Sequence, residues 1–205
     1  MDYNKRDSEL ESLIDEFIKK LDESGQYKIE ASAPICKNEQ GIELGDFCLG
    51  EERSCSPSNC GSGKPIGSIH SHGKIPWWAN IDFSPFDVAG HLASRNTVRC
   101  VTGIKHYINK TDVIDGKETV TEIKPTYETI CLFFDSYQIG EAEFQSIAKD
   151  IKTFAIELRD AIAKDKDEAH EPKSHWYLRK YPRRFSYSPT YTNTGKPFVP
   201  EEIGK

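Results

Sequence analysis

The 205-residue chain has no run of 18 consecutive apolar residues and no internal repeat. The missing apolar run argues against a membrane span, and the charged N-terminus (MDYNKRDSELE) argues against a secretory signal peptide. The chain also lacks an excess of positive charge, because 27 Lys and Arg residues stand against 33 Asp and Glu residues. We therefore expect a cytoplasmic protein that is not a general nucleic-acid binder.

The six cysteines do not form the C-x-x-C pairs that are typical of structural zinc sites. Cys55 and Cys60 lie in a loop rich in Ser, Pro, Asn and Gly, and they could close a small disulfide loop, although a reducing cytosol argues against one. Cys100 and Cys131 alternate with apolar residues, so we expect them to be buried thiols.

Length and composition predict one domain followed by a tail. Hydrophobic residues make up 37% of the chain and charged residues 29%, which is typical of a soluble globular protein. Residues 170–205 carry a net charge of +4, whereas residues 1–169 carry −10. We therefore divide the chain into a domain, residues 1–169, and a basic, aromatic and Pro-rich C-terminal arm, residues 170–205.

Two uses of the arm follow from its composition. Its Arg and aromatic side chains could bind single-stranded nucleic acid or a protein partner. Alternatively, the arm covers the acidic domain of its own chain, and we favour this second interpretation because the two charges are opposite.

Hydrophobic periodicity predicts one long helix early in the chain and one late. The first, Ser8–Ser24, would begin with the capping box of Ser8 and Glu11 and end at Gly25, and the second would run from Glu141 to Lys164. Strands are predicted at Tyr27–Cys36, Ile42–Leu49, Val98–Ile108, Thr119–Ile123 and Tyr127–Phe134, with a hairpin turn at Asp115-Gly116. This order predicts an α+β fold.

The stretch from Pro65 to Gly90 carries the side chains of a candidate metal site. His70 and His72 lie two positions apart on a predicted strand, so both should lie on one face, about 7 Å apart along the chain. Ser84-Pro85 is typical of a helix start, which places Asp87 in the first helical turn, where it could face the histidines. Two histidines, one aspartate and an open position are the ligand count expected of a catalytic Zn²⁺.

Each part of this stretch also has an ordinary structural explanation. A His-x-His pair at a strand end is often two solvated histidines, and Asp87 can serve as a capping partner of Ser84 or interact with the helix dipole. His91 lies one turn after Asp87, where we expect it behind the ligands or at the surface rather than as a fourth ligand.

The succession of His-Ser-His, a loop and Ser-x-x-Asp resembles the JAB/MPN metalloprotease family, also called JAMM. The family motif also has a glutamate upstream, followed by Leu and Gly. Glu43, in the run ELGDFCLG, fits that pattern best, while Glu30, Glu39 and the pair Glu51-Glu52 are rival candidates.

The spacing departs from the usual family pattern in three places. Glu43 precedes His70 by only 27 residues, the loop between His72 and Ser84 is long, and Gly73 stands where a proline is common. With these departures the motif looks closest to the JAB-related domain of bacterial polymorphic toxins.

The resemblance implies a curved, mostly antiparallel sheet flanked by helices, in the cytidine-deaminase-like JAB/MPN fold, and zinc-dependent hydrolysis of peptide or isopeptide bonds. His70, His72 and Asp87 would hold Zn²⁺, Glu43 would be the general base, and Ser84 would donate a hydrogen bond to the developing oxyanion. The substrate would be a peptide or a ubiquitin-like protein, and the toxin-like subgroup implies delivery as an effector. The alternative is a metal-free MPN-type scaffold or interaction domain without catalysis.

Overall fold

The computed structural model describes residues 3–25, 29–50, 59–72, 83, 85–136, 138–164, 177 and 180–197. Within these ranges, three helices flank one β-sheet: α1 (Tyr3–Ser24), α2 (Pro85–Ala93) and α3 (Glu141–Lys164). None of the helices in the described part of the chain is long and apolar enough to cross a membrane. The fold class is α+β, as the order of elements predicted.

The sheet has eight strands in the described residues. They are β1 (Ala31–Lys37), β2 (Ile42–Leu44), β3 (Cys48–Leu49), β4 (Lys64–Ser71), β5 (Val98–Ile114), β6 (Lys117–Phe134), β7 (Phe185–Tyr187) and β8 (Tyr191–Thr194). Their order is β2-β1-β4-β5-β6-β7, with β3 also paired to β1 and β8 to β6. The pair β4–β5 is parallel, and the other described pairs are antiparallel. Because α2 connects the two parallel strands, this crossover brings a helix start over the sheet next to β4.

The sheet separates two hydrophobic cores, because successive side chains on a strand point to opposite faces. One face packs against the apolar stripe of α1 and includes Ile69 and Cys100. The other face packs against α2 and α3 and includes Val101 and Leu132. His70 follows Ile69 and pairs with Val101, so its side chain lies on the face that α2 and α3 cover.

The helices follow the predicted pattern except at the start of α1. The predicted range of α3 is confirmed, and α2 begins at Pro85 as expected. The predicted capping box of Ser8 is wrong, because α1 begins at Tyr3 and the Ser8 carbonyl accepts a hydrogen bond from Ser12 Oγ inside the helix. The predicted end is confirmed at Gly25, whose φ of +64° suits a residue without a side chain.

The strands differ more from the prediction. The turn at Asp115-Gly116 is confirmed, with φ of 51° and 75°, but β6 is one strand of 18 residues instead of two. The predicted strand Ile42–Leu49 is split into β2 and β3, because Pro34 has no N–H to return the bond that it accepts from Gly45, and the Asp46 N–H donates to the Asn59 carbonyl. The hairpin of β5 and β6 extends well beyond the rest of the sheet, and its distal part is largely exposed, with Val113 72% accessible.

Two disulfides join distant parts of the chain, contrary to both expectations for the cysteines. Cys36 is bonded to Cys60, which leaves Cys60 unable to bond to Cys55. Cys100 and Cys131 are directly opposite each other on β5 and β6, with Cα atoms 4.0 Å apart, and they form a disulfide instead of two buried thiols. Spacing along the chain could not indicate these partners, because strand register pairs Cys100 with Cys131 and the fold places the loop before β4 beside Cys36.

The described part of the arm belongs to the same sheet as the domain. Strands β7 and β8 both pair with β6, and Phe185 is 4% exposed in the core beneath α3. Arg184 forms an ion pair with Glu143 at 2.9 Å, and Lys180 forms one with Asp150. The two carboxylates lie on α3. These contacts match the interpretation in which the arm covers its own chain.

Candidate metal centre

The two histidines of the motif lie side by side at the end of β4. His70 is the seventh residue of this strand, and His72 follows it, held along β5 by an N–H that donates to the Thr102 carbonyl at 3.0 Å. Extended backbone on both sides of Ser71 puts the two rings on the same face. Their Nε2 atoms are 3.1 Å apart.

Asp87 reaches the histidines from the first turn of α2. Its Oδ1 lies 3.4 Å from His70 Nε2, and its Oδ2 lies 4.0 Å from His72 Nε2. The side chains of the three residues are at most 10% exposed. Among the described residues they form the one group of three or more His, Cys, Asp or Glu side chains that could hold a metal ion, with ligand atoms within 4.8 Å of one another.

The spacing of these ligand atoms suits a zinc ion. Tetrahedral zinc with bonds of about 2.0–2.1 Å places its ligand atoms about 3.3 Å apart. The separations of 3.1 Å between the two rings and 3.4 Å between His70 Nε2 and Asp87 Oδ1 match this value, and the other carboxylate oxygen, Oδ2, lies 4.0 Å from His72 Nε2. Two neutral nitrogens and one carboxylate oxygen are also a donor set that zinc accepts in sites with an open position.

Burial keeps His70 in the form that a metal requires. Removal of the ring from water lowers the pKa of His70 to about 3, and this effect outweighs the opposite effect of the nearby Asp87 carboxylate. The imidazole is therefore neutral at physiological pH, and one ring nitrogen keeps a lone pair for coordination.

Arg99 is a member of the site that the sequence did not indicate. It lies on β5, opposite Ser68 of β4, and its Nη2 donates to Asp87 Oδ1 at 2.8 Å. Twelve residues separate Arg99 from Asp87, and the alternation of β5 predicts only a half-buried position. Arg99 and Asp87 come together because the crossover places α2 over β5.

The structure does not bring Glu43 to this group. Glu43 pairs with Cys36 on β1, and Cys36 in turn pairs with Pro65 on β4, five residues before His70. At about 3.3 Å per strand residue, Glu43 lies roughly 16 Å from the histidines along the sheet. Its side chain is also exposed, so this glutamate is at the opposite end of the strands from the candidate centre.

Glu30 lies at the same end of the sheet as the histidines. Ser32 on β1 is directly opposite His70, and the N–H of Ala31 donates to Ser71 Oγ at 2.9 Å. Glu30 lies just before β1, two residues ahead of Ser32. It is therefore much nearer than Glu43 to the end of the sheet that carries the histidines.

The remaining candidate residues have different outcomes. Ser84 lies outside the described residues, as do Glu51 and Glu52. His91 is fully buried and lies outside the group of three ligands. This agrees with the expectation that it is not a fourth ligand.

A scan against protein-family models and a search of the curated proteins found no match to this chain.

Proposed function

We propose that the protein is a zinc-dependent hydrolase of peptide or isopeptide bonds. The observation that carries the proposal is the convergence of His70, His72 and Asp87 from a strand end and a helix start into one largely buried group with ligand-like spacing. Two histidines at a strand end are common by themselves. A carboxylate that reaches both of them from another element, in a region mostly closed to water, is much less so.

The three side chains would leave one coordination position open for water or substrate. A zinc ion held in such a set lowers the pKa of a bound water to about 7 and thereby supplies a nucleophile at neutral pH. Hydrolysis of an amide also needs a group that takes the proton of the attacking water and returns it to the leaving nitrogen.

Glu30 is the residue we propose for this proton transfer. The register of β1 and β4 supports it, because Glu30 lies two residues before Ser32, the partner of His70, and one further step in this register would bring it opposite His72. Glu43 matches the family pattern in sequence but lies far along the strands, so a proton could not pass directly between it and the ligands. A general base must come within hydrogen-bond reach of the water.

Ser84 would take the role that the resemblance implies for the serine of Ser-x-x-Asp. Its hydroxyl, three residues before Asp87, would donate a hydrogen bond to the oxygen of the attacked carbonyl. Removal of one such donor typically costs about 3–4 kcal/mol of transition-state stabilisation.

The test begins with the metal content of the full chain, purified without added metal. We expect about one zinc per chain, loss of the metal with a chelator, and recovery with Zn²⁺. Cleavage is then measured on a panel that contains ubiquitin-like isopeptide conjugates, linear peptides and cell-wall peptides. We expect zinc-dependent cleavage of at least one class.

A chain that takes up no zinc, even when zinc is added in excess, would rule out the hydrolase. The result would favour the metal-free scaffold, in which the same group of side chains serves packing alone. A chain that binds zinc at full occupancy but cleaves no member of the panel would contradict the proposed substrate class.

A further inference from the structure

The carboxylate of Asp87 has its two oxygens in different surroundings. Oδ1 accepts a hydrogen bond from Arg99 Nη2 at 2.8 Å and lies 3.4 Å from His70 Nε2, whereas Oδ2 faces His72 Nε2 at 4.0 Å. The side chain of Asp87 is 10% exposed and that of Arg99 is 17% exposed. A charge-assisted hydrogen bond with so little water around it holds the carboxylate strongly in one rotation.

Arg99 is fixed by elements other than the one that carries Asp87. It lies on β5 two residues before Val101, the partner of His70, so it shares the face of the sheet on which His70 lies. Its guanidinium lies against α2, because a Cβ placed on Gly90 of that helix would be 3.7 Å from Arg99 Nη1. The sheet therefore sets the position of the carboxylate through Arg99, while the helix supplies the carboxylate itself.

The surroundings of Arg99 offer no competing anion among the described residues. Asp87 is the one carboxylate with which Arg99 forms an ion pair in that part of the chain. His91, one turn further along α2, is fully buried, and neither of its ring nitrogens has a hydrogen-bond partner. Burial and the nearby Arg99 charge lower the pKa of His91 to about 3, so the ring is neutral and does not draw the guanidinium away.

We propose that Arg99 is a positioning residue for the metal centre: its hydrogen bond to Oδ1 fixes the rotation of the Asp87 carboxylate, with Oδ1 beside His70 and Oδ2 beside His72. This inference rests on the proposed zinc-dependent function. Ligating carboxylates are usually held by a hydrogen-bond donor of this kind, and loss of the donor typically weakens metal binding 10- to 100-fold.

Two effects of Arg99 on metal affinity have opposite signs, which makes the inference testable. Orientation of Asp87 strengthens metal binding, whereas the positive charge of the guanidinium repels a cation. Arg99→Met removes both the orienting hydrogen bond and the positive charge. Arg99→Lys keeps the positive charge and an N–H donor. If orientation dominates, the Met variant binds zinc more weakly than the parent. If repulsion dominates, the Met variant binds zinc more tightly.

The experiment measures the zinc Kd of the full chain by competition with a chelator, for the parent and for each variant. We expect the Kd to rise 10- to 100-fold in Arg99→Met and to recover in part in Arg99→Lys. The absorption spectrum of the Co²⁺-loaded protein supplies a second readout, because its visible bands report coordination geometry. We expect these bands to change in the Met variant and to resemble the parent in the Lys variant.

The matched control is Arg95→Met. Arg95 pairs with Glu141 at 2.7 Å, but both side chains are 61% exposed, so an exposed Arg–carboxylate pair is removed without touching Asp87. Its zinc Kd and Co²⁺ spectrum should equal those of the parent.

Circular dichroism and thermal unfolding in EDTA check that each variant is folded. If Arg99→Met does not fold, the decision passes to Arg99→Lys, in which a zinc Kd above that of Arg95→Met supports the inference and a Kd equal to or below that of Arg95→Met overturns it.

Failure of this inference is distinct from failure of the proposed function. A parent that binds zinc, with Arg99→Met binding as tightly as Arg95→Met or more tightly, would overturn the role of Arg99 and leave the metal centre in place. A parent that binds neither Zn²⁺ nor Co²⁺ would overturn both.

Discussion

Ser32 on β1 lies directly opposite His70 on β4. This one pairing distinguishes the glutamates that the sequence left as rivals. It brings the residues just before β1 to the end of the sheet where the histidines lie, and it leaves the β1–β2 turn at the other end.

Replacement of Glu30 by Gln should keep zinc at full occupancy while hydrolysis falls roughly 10²- to 10⁴-fold. The amide keeps the shape of the carboxylate but cannot accept and return the proton. Zinc content and the rate of cleavage are measured on the same preparation. The matched control is Glu43→Gln, which should keep the parent rate because Glu43 lies at the opposite end of the strands. The reverse outcome, with Glu43→Gln inactive and Glu30→Gln active, would contradict the assignment.

Replacement of His70 or His72 by Ala should abolish stoichiometric zinc binding, because each variant leaves two protein ligands instead of three. Zinc content is measured by atomic emission, and folding by circular dichroism. His106→Ala serves as the control, since His106 lies exposed on β5 beyond the end of β4. Parent-like zinc affinity in either of the first two variants would show that the ion binds elsewhere.

Acid should destabilise the metal-free protein in part through His91. Its pKa is about 3 in the folded chain, against an ordinary value of 6.5, so the unfolded chain binds the extra proton between these two values. The contribution of the neutral His91 ring to the free energy of unfolding is fully present above about pH 6.5 and is lost as the pH falls toward 3. One such histidine costs about 2 kcal/mol between pH 7 and pH 5.

His91→Leu should remove this share of the acid sensitivity. Urea unfolding in EDTA at pH 7 and pH 5 measures the free energy of unfolding of the parent and the variant. Leu also replaces a buried ring with two unpartnered nitrogens, so the variant should be at least as stable as the parent at pH 7. His106→Ala should keep the pH dependence of the parent, and an unchanged dependence in His91→Leu would refute the explanation.

Truncation of one arm residue should destabilise the whole domain. Phe185 on β7 is 4% exposed and packs in the core beneath α3, so Phe185→Ala should lower the free energy of unfolding by about 3–5 kcal/mol. Ser186→Ala is the control, because this neighbour on the same strand is exposed and its replacement should cost less than about 0.5 kcal/mol. Urea unfolding measures both, and equal stability of the two variants would mean that the arm contributes no core.

Much of the local structure could be predicted from the chain alone. The apolar spacing of α3, the start of α2 at Pro85 and the Asp115-Gly116 turn are short-range features, and the structure agrees with each. The shared face of His70 and His72 is of the same kind, because it follows from a strand period of two.

The remaining features depend on contacts between distant parts of the chain. The partner of Cys100 depends on strand register, and the partner of Cys60 depends on where the loop before β4 lies, and a spacing along the sequence determines neither. The position of Glu43 is another case. Its local sequence pattern favours it as the general base, but the pairing of three strands places it far from the histidines. Arg99 joins the site only through the crossover of α2.

The Cys100–Cys131 disulfide joins β5 and β6 within the core, further from the hairpin tip than the pair of Ile104 and Tyr127, which still packs there. Beyond it, the strands run on to an exposed tip with few neighbours to hold them together. Fraying that starts at the Asp115-Gly116 turn can move inward along the strand pairs only as far as this covalent bond. Arg99 lies one residue beyond Cys100, on the side away from the tip. Its segment therefore stays paired within the sheet even when the outer hairpin frays.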